Sequence, residues 1–158
     1  MAGHILLEGG AEFGGRMAEP DLHALELAGG FEVRVSIVPA AAAPDKNHER
    51  AGQRGVHWFK RLGARNVVLL PLIDQASANQ PTMAAALAGS RFIYLLGGFS
   101  SYLAQTLADS ISWQAILEAY RGGAIIGGSS AGAMVLCQDF YDPNTGRLAE
   151  GLNLIPKA

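Results

Sequence analysis

Two adjacent serines in a turn of small residues are the residues of this chain whose type and spacing best fit covalent chemistry. The turn is Gly128-Ser129-Ser130-Ala131-Gly132, which lies between the apolar run Ala124-Ile125-Ile126 and a second apolar run at 133–137. A strand that passes through such a turn into a helix can hold the middle serine in a strained conformation, with its hydroxyl exposed above the helix N-terminus. The pattern predicts a nucleophile elbow with Ser130 as the nucleophile of an acyl transfer. An ordinary strand-to-helix turn has the same pattern and stays the alternative.

A pair of glycines, Gly97-Gly98, could supply the second half of this chemistry. The pair follows the apolar run 92–96 and precedes a helical pattern, so its backbone can approach a ligand closely with its N–H groups pointing outward. Acyl transfer needs two backbone donors for the developing oxyanion, and the N–H groups of Gly98 and Ala131 are the candidates. Because a right-handed crossover commonly joins neighbouring strands, we expect this loop to emerge beside the elbow.

Short apolar runs alternate with longer helical patterns along the whole chain. This alternation is typical of a parallel sheet with crossover helices, so we predict one α/β domain over residues 1–158. The elbow would follow the fifth strand. The predicted strands are 5–7, 33–38, 67–70, 92–96 and 124–127, and the main predicted helices are 21–28, 47–62, 82–88 and 111–120. The run 133–137 predicts a further buried helix.

Composition and charge exclude several classes of protein. The chain has 158 residues, of which 49% are hydrophobic, and a formal net charge of −2, so it has no basic field for nucleic acid. The N-terminus lacks the pattern of a signal peptide, and no apolar run is long enough for a membrane span. One cysteine cannot form an internal disulfide. We therefore expect a cytoplasmic protein without nucleic-acid or membrane partners, and no metal or other cofactor.

Four further side chains are of types that could take part in a site. Glu12 follows the first predicted strand, at the edge where ligand-facing loops lie, and could orient a loop amide, contact a substrate or brace its own loop. Asp139 and Asp142 precede an Asp-Pro-Asn-Thr-Gly turn signal and are expected to be solvated. Cys137 lies two turns along the predicted apolar helix, so we expect it to be buried and inert.

Several motifs together resemble the cyanophycinase and aspartyl dipeptidase family of serine peptidases, which has the class I glutamine-amidotransferase-like fold. They are Gly9-Gly10-Ala11-Glu12, Gly97-Gly98, Gly128-Ser129-Ser130-Ala131-Gly132-Ala133 and the closing segment 150–156. The resemblance implies a flavodoxin-like three-layer sandwich with a mostly parallel sheet of about five strands. It also implies an acyl-enzyme on Ser130, amides of Gly98 and Ala131 as oxyanion donors, and peptide or isopeptide substrates that bear an aspartyl group. Residues expected to line the substrate are Gly97, Phe99, Ser100, Ser129 and Glu12.

The chain departs from the family pattern in two places. Phe99 and Ser100 stand where the family has an acidic or amide residue followed by glutamine, which alters the expected specificity. The family's catalytic histidine lies beyond the closing segment, and none of His4, His23, His48 and His57 is expected to reach Ser130. The expectation is a C-terminally incomplete hydrolase that forms a homodimer through its uncovered faces. A non-catalytic binding or assembly module and a flavodoxin-like phosphate or cofactor binder remain alternatives.

Overall fold

Seven strands and seven helices alternate in the computed structural model, which describes residues 1–158. The strands are β1 (Ile5–Glu8), β2 (Arg34–Val38), β3 (Asn66–Leu69), β4 (Phe92–Leu95), β5 (Ile125–Ser129), β6 (Asp139–Asp142) and β7 (Arg147–Glu150). The helices are α1 (Ala18–Ala28), α2 (His48–Arg61), α3 (Gln75–Ala78), α4 (Pro81–Ala88), α5 (Ser100–Leu107), α6 (Ile111–Arg121) and α7 (Ala131–Met134). Short 3₁₀ turns precede α1 and follow β2.

The first five strands form one parallel sheet in the order β1-β5-β4-β2-β3. This sheet confirms the predicted flavodoxin-like α/β class, and β4 and β5 are neighbours as expected. Glu8 at the end of β1 is paired with Ser129, and Leu95 at the end of β4 is paired with Gly128. The carboxyl ends of β1, β5 and β4 therefore meet at one edge of the sheet, with the elbow in the middle.

The central strands are continuous apolar runs because helices cover both faces of the sheet. All four residues of β4 are fully buried, and successive side chains alternate between two core clusters. Ile93 and Leu95 belong to the cluster that packs under α4, α5 and α6, whereas Phe92 and Tyr94 belong to the cluster under α1 and α2. This period of two is the geometry of a strand, and it makes the molecule a three-layer sandwich.

Several helix ends carry signals that the sequence makes visible. Ser110 caps α6 by accepting a hydrogen bond from the Trp113 amide at 3.0 Å. Asp74 and Ser77 form a reciprocal capping box at the start of α3. Gly29 ends α1 with a φ of 119°, a conformation that favours glycine. The predicted helix and strand bounds accordingly agree with the structure to within a few residues.

The segment after the elbow differs from its prediction. The helix expected over 133–137 was wrong, because α7 ends at Met134 and Cys137 forms an isolated bridge with Ile155. A longer helix would need the Val135 carbonyl as a hydrogen-bond acceptor. That carbonyl instead accepts from the Leu152 N–H of the closing segment. Cys137 is consequently half-buried and lies outside any helix, so its predicted burial on a helix was also wrong.

An antiparallel hairpin, β6–β7, follows α7 and was missed in the sequence. Its connecting turn lies where the Asp-Pro-Asn-Thr-Gly signal predicted one. Its strands have only a weak apolar alternation, since Tyr141 and Leu148 face each other in the register and are both exposed. The buried face of β6 carries Phe140 and Asp142, and because one of these two residues is charged, the strand has little apolar periodicity to detect.

None of the seven helices combines the length and the apolar character needed to cross a membrane.

Candidate active site

Ser130 has the backbone conformation expected for a strained elbow. Its φ is 50° and its ψ is −112°, a region that residues with a Cβ rarely occupy. The Ser130 N–H donates to the Glu8 carbonyl at 2.8 Å, and the Ser130 carbonyl accepts from the Ala133 and Met134 amides at 3.0 and 2.9 Å. Hydrogen bonds on both sides of the residue thus hold a conformation that its own side chain disfavours.

The glycines on either side of the elbow are required by close packing. A Cβ on Gly128 would collide with the Gly132 carbonyl, and a Cβ on Gly132 would collide with the Leu95 carbonyl of β4. Because both obstacles are backbone atoms, neither can move aside as a flexible side chain could. The small residues of the motif therefore allow α7 to turn back directly over the ends of β4 and β5.

The Gly97-Gly98 loop lies against the elbow, as the strand order predicted. A Cβ placed on Gly97 would come within 3.4 Å of the Ser130 Cβ. Gly98 has a φ of 143°, and its N–H donates to no acceptor in the protein. Ala131 begins α7, so its N–H has no intrahelical acceptor. Two backbone N–H groups without a protein acceptor therefore belong to the elbow and to the loop that lies against it.

The remaining residues predicted to line a substrate divide into two groups. Glu12, Gly97 and Phe99 are partly exposed beside the elbow. Ser100 and Ser129 each have only 1% of their surface exposed. Contact of these two residues with a ligand can therefore involve little of their side chains.

Glu12 orients the glycine loop. Its Oε1 accepts a hydrogen bond from the Gly97 amide at 2.9 Å. Burial raises the pKa of the Glu12 carboxyl, while the Gly97 amide and the nearby Arg54 oppose this effect. The sequence left three roles open for Glu12, and this contact provides the first of them, which is to orient a loop amide.

Asp142 is buried, so the prediction of a solvated turn residue was wrong. Its carboxylate accepts from the Ser101 hydroxyl at 2.6 Å, the Asn144 amide at 2.9 Å and, at longer range, the Ser100 hydroxyl. The Ser101 hydroxyl and the Asn144 amide lower the pKa of Asp142. Asp142 thereby fastens the hairpin to the first turn of α5, directly after the glycine loop. The turn signal in the sequence could place Asp142 in a turn but not beneath a helix.

We expect Asp142→Ala to loosen the hairpin and to lower the melting temperature by about 5 °C, because four donors, the Thr145 hydroxyl among them, lose a charged acceptor. A carboxyl group whose pKa is lowered by folding stabilises the folded state at pH values above its ordinary pKa. This contribution is lost as pH falls below about 4. Thermal melts between neutral and acidic pH measure both effects. Asp139→Ala is the matched control, since Asp139 lies in the same strand and is exposed. Equal melts for the two variants would contradict this role.

No histidine side chain hydrogen-bonds to Ser130 in this structure. His4 precedes the first strand at the opposite edge of the sheet. His48 lies against Leu69 and Leu70, over the ends of β2 and β3. These strands are two and three positions from β5 in the sheet, which places His48 roughly 10–15 Å from the elbow. The other two lie on helices that flank the sheet: His23 faces Glu26 on α1, and His57 is exposed on α2.

No group of three or more histidine, cysteine, aspartate or glutamate side chains comes together in a metal-binding arrangement.

A polar cluster that the sequence reading missed lies beneath the elbow. Glu8, Asp21, Tyr94 and Trp58 meet within the apolar layer under α1 and α2, and Glu8 and Asp21 are 1% and 0% exposed. The Tyr94 hydroxyl donates to Glu8 Oε2 and the Trp58 indole donates to Asp21 Oδ2, both at 2.7 Å. The only signal in the sequence was a glutamate that ends an apolar strand.

Comparisons of the sequence with known proteins consistently find peptidases of one family. The model of peptidase family S51 matches residues 5–158. A cyanophycinase of Synechococcus elongatus is 30% identical over 135 residues, which are 85% of this chain and 41% of the relative. A cyanophycinase of Trichormus variabilis is 27% identical over 157 residues, covering 89% of this chain and 52% of the relative. The chain thus spans about half the length of the curated relatives that it matches.

Solved structures give the same family resemblance. A peptidase from an acI-B1 Actinobacterium superposes with a TM-score of 0.86 at 30% identity, covering 98% of this chain and 66% of that one. A putative peptidase E of Listeria monocytogenes superposes with a TM-score of 0.73 at 20% identity, over 98% of this chain and 76% of that one, and shows the shared fold. With a family match over nearly its whole length, the chain belongs to peptidase family S51.

Proposed function

We propose that this chain carries the nucleophile and the oxyanion site of a serine peptidase that cleaves peptide or isopeptide bonds through an acyl-enzyme on Ser130. The observation that carries the proposal is the strained backbone of Ser130, held against a glycine loop whose Gly98 amide has no protein acceptor. A strained serine beside free amides is the arrangement that acyl transfer requires. Membership of a peptidase family supports the same assignment.

The proposed reaction begins with attack of the Ser130 Oγ on the substrate carbonyl carbon. The hydroxyl proton passes to a general base, and the carbonyl oxygen becomes an oxyanion that accepts from the Gly98 and Ala131 amides. Collapse of the tetrahedral intermediate breaks the C–N bond, and the leaving amine takes a proton. Water then hydrolyses the ester on Ser130. The positions of the four histidines favour a base from outside these 158 residues.

The proposed substrate is a peptide or isopeptide with an aspartyl group, by analogy with the relatives that are called cyanophycinases. Phe99 follows the paired glycines and is partly exposed, so this position offers an aromatic surface to the ligand. Glu12 would act on the substrate indirectly, by holding the Gly97 amide.

A fluorophosphonate probe tests the assignment, since it forms a stable ester only with an activated serine. We expect the natural protein that contains this chain to gain the mass of one probe on the peptide that carries Ser130. Ser129→Ala is the matched control and should still be labelled, whereas Ser130→Ala should not. Absence of labelling in the natural protein would instead support the non-catalytic binding module.

A further inference from the structure

We propose that Glu8 and Asp21 share one proton, held between Glu8 Oε1 and Asp21 Oδ1, and that this pair positions the end of β1 beneath Ser130. The inference concerns the folded chain itself and does not depend on peptidase activity. It goes beyond the proposed reaction, in which neither residue touches the substrate.

The hydrogen-bond inventory of the four oxygens leads to the shared proton. Tyr94 donates to Oε2 of Glu8 and Trp58 donates to Oδ2 of Asp21. The other two oxygens, Glu8 Oε1 and Asp21 Oδ1, are buried and have no partner. Buried polar atoms without a partner are rare because each one costs free energy. One proton between the two carboxyl groups satisfies both remaining atoms.

The neighbouring side chains, Tyr94 and Trp58, supply no donor to the two unpartnered oxygens. An indole N–H can only donate, and burial together with the nearby carboxylates raises the pKa of Tyr94 far enough to keep its hydroxyl protonated. Both groups therefore donate to the carboxyl groups, and neither is bonded to the two unpartnered oxygens. Two ionised carboxylates in contact within an apolar layer would repel each other strongly. One of them must consequently be protonated.

The proton is expected to reside mainly on Glu8. Burial, and after it the side-chain hydrogen bond with Asp21, raise the pKa of Glu8 to about 8, although the hydrogen bond from Tyr94 lowers it. Burial also raises the pKa of Asp21, but there the hydrogen bonds with Glu8 and Trp58 favour the ionised form. Such coupled groups titrate as a pair, so the value belongs to the pair.

The nearest negative charge on a surrounding element also favours the protonated form of Glu8. Glu12, in the loop after β1, raises the pKa of Glu8 by its negative charge. Arg54 of α2 is the nearby cation, and it acts on Glu12. Since no cation interacts directly with Glu8 or Asp21, a shared proton is what reduces the charge of the pair from −2 to −1.

The pair is coupled to the elbow through the backbone. The carbonyl of Glu8 accepts the Ser130 amide at 2.8 Å, and Glu8 is paired with Ser129 in the sheet. At alkaline pH the shared proton leaves to solvent and two negative charges remain in contact. Repulsion then pushes the side chain of Glu8 away from α1, which strains the strand end that holds Ser130.

The direction of the pH effect follows from linkage. A group whose pKa is raised by folding contributes stability that is full below its ordinary pKa and is lost as pH rises through the folded value. The melting temperature of the unmodified chain should therefore fall by about 5 °C or more between about pH 6 and pH 9. Amide hydrogen exchange at Ser130 should accelerate over the same range beyond its intrinsic base catalysis.

Glu8→Gln tests the proposal because a glutamine imitates the protonated glutamate. Its amide N–H can donate to Asp21 while its oxygen accepts from Tyr94, so the fold is retained but the titration is removed. We expect this variant to lose most of the alkaline decrease in melting temperature. Glu19→Gln is the matched control, since Glu19 is exposed on α1 and should leave the decrease unchanged.

A carbon-13 NMR titration of the carboxyl carbons in the unmodified chain keeps the test independent of any variant. The proposal expects one carboxyl pair to titrate near neutral or alkaline pH, well above the ordinary range of about 4. Titration of every aspartate and glutamate within the ordinary range would overturn it. An alkaline step that persists unchanged in Glu8→Gln would also overturn it.

Discussion

Replacing Ser130 with alanine should, under the proposed reaction, lower kcat/KM for peptide hydrolysis by a factor of about 10⁴ to 10⁶. Removal of a serine nucleophile leaves only the rate enhancement due to binding and to the oxyanion donors. The backbone should be unaffected, because alanine retains the Cβ and the Ser130 backbone hydrogen bonds involve no side-chain atom. Steady-state kinetics with a peptide substrate measure the loss.

A second variant separates catalysis from stability. Ser130→Gly should be equally inactive, yet more stable than Ser130→Ala by about 1 kcal/mol, because glycine tolerates a φ of 50° without steric strain. Urea unfolding of the two variants measures this difference. Retention of substantial hydrolysis in either variant would contradict the assignment of Ser130 as nucleophile. Equal stability would show that the strain at this residue is small.

Gly132→Ala should be among the most destabilising single substitutions in this chain, lowering the free energy of unfolding by roughly 3 kcal/mol. The added Cβ would overlap the Leu95 carbonyl, which is itself buried in the central strand of the sheet. Relief requires α7 to move away from β4, and this movement also displaces Ser130. Urea unfolding at neutral pH measures the change.

Gly9→Ala is the matched control for that substitution. A Cβ on Gly9 meets no atom within 4 Å, and Gly9 is not among the residues with positive φ. Its free energy of unfolding should therefore stay within about 0.5 kcal/mol of that of the unmodified chain. Comparable losses for the two glycines would mean that crowding at the elbow is not what requires glycine at position 132.

The sequence by itself was sufficient for the parallel sheet and the position of the elbow. The apolar runs that became β2, β4 and β5 are visible without a partner because a strand buried on both faces must be largely apolar, whereas the edge strands β1 and β3 are only partly buried. The neighbouring positions of β4 and β5 followed from the handedness of crossover connections. Small residues between Ile126 and Ala133 marked the turn, since nothing larger could pass so close to other backbone. The catalytic roles of Ser130, Gly98 and Ala131 stay predictions.

Only the tertiary structure decided the features that depend on which distant segments pack together. Asp142 became buried because serine hydroxyls of α5 surround it, and α7 ended at Met134 because the closing segment occupies the next carbonyls. Glu8 ends β1 and Asp21 lies in the first turn of α1, so the whole first loop separates them and their contact exists only after α1 packs against the sheet. Local patterns report propensity and periodicity, whereas burial and charge pairing depend on long-range contacts, so no window of sequence around these residues contains the information.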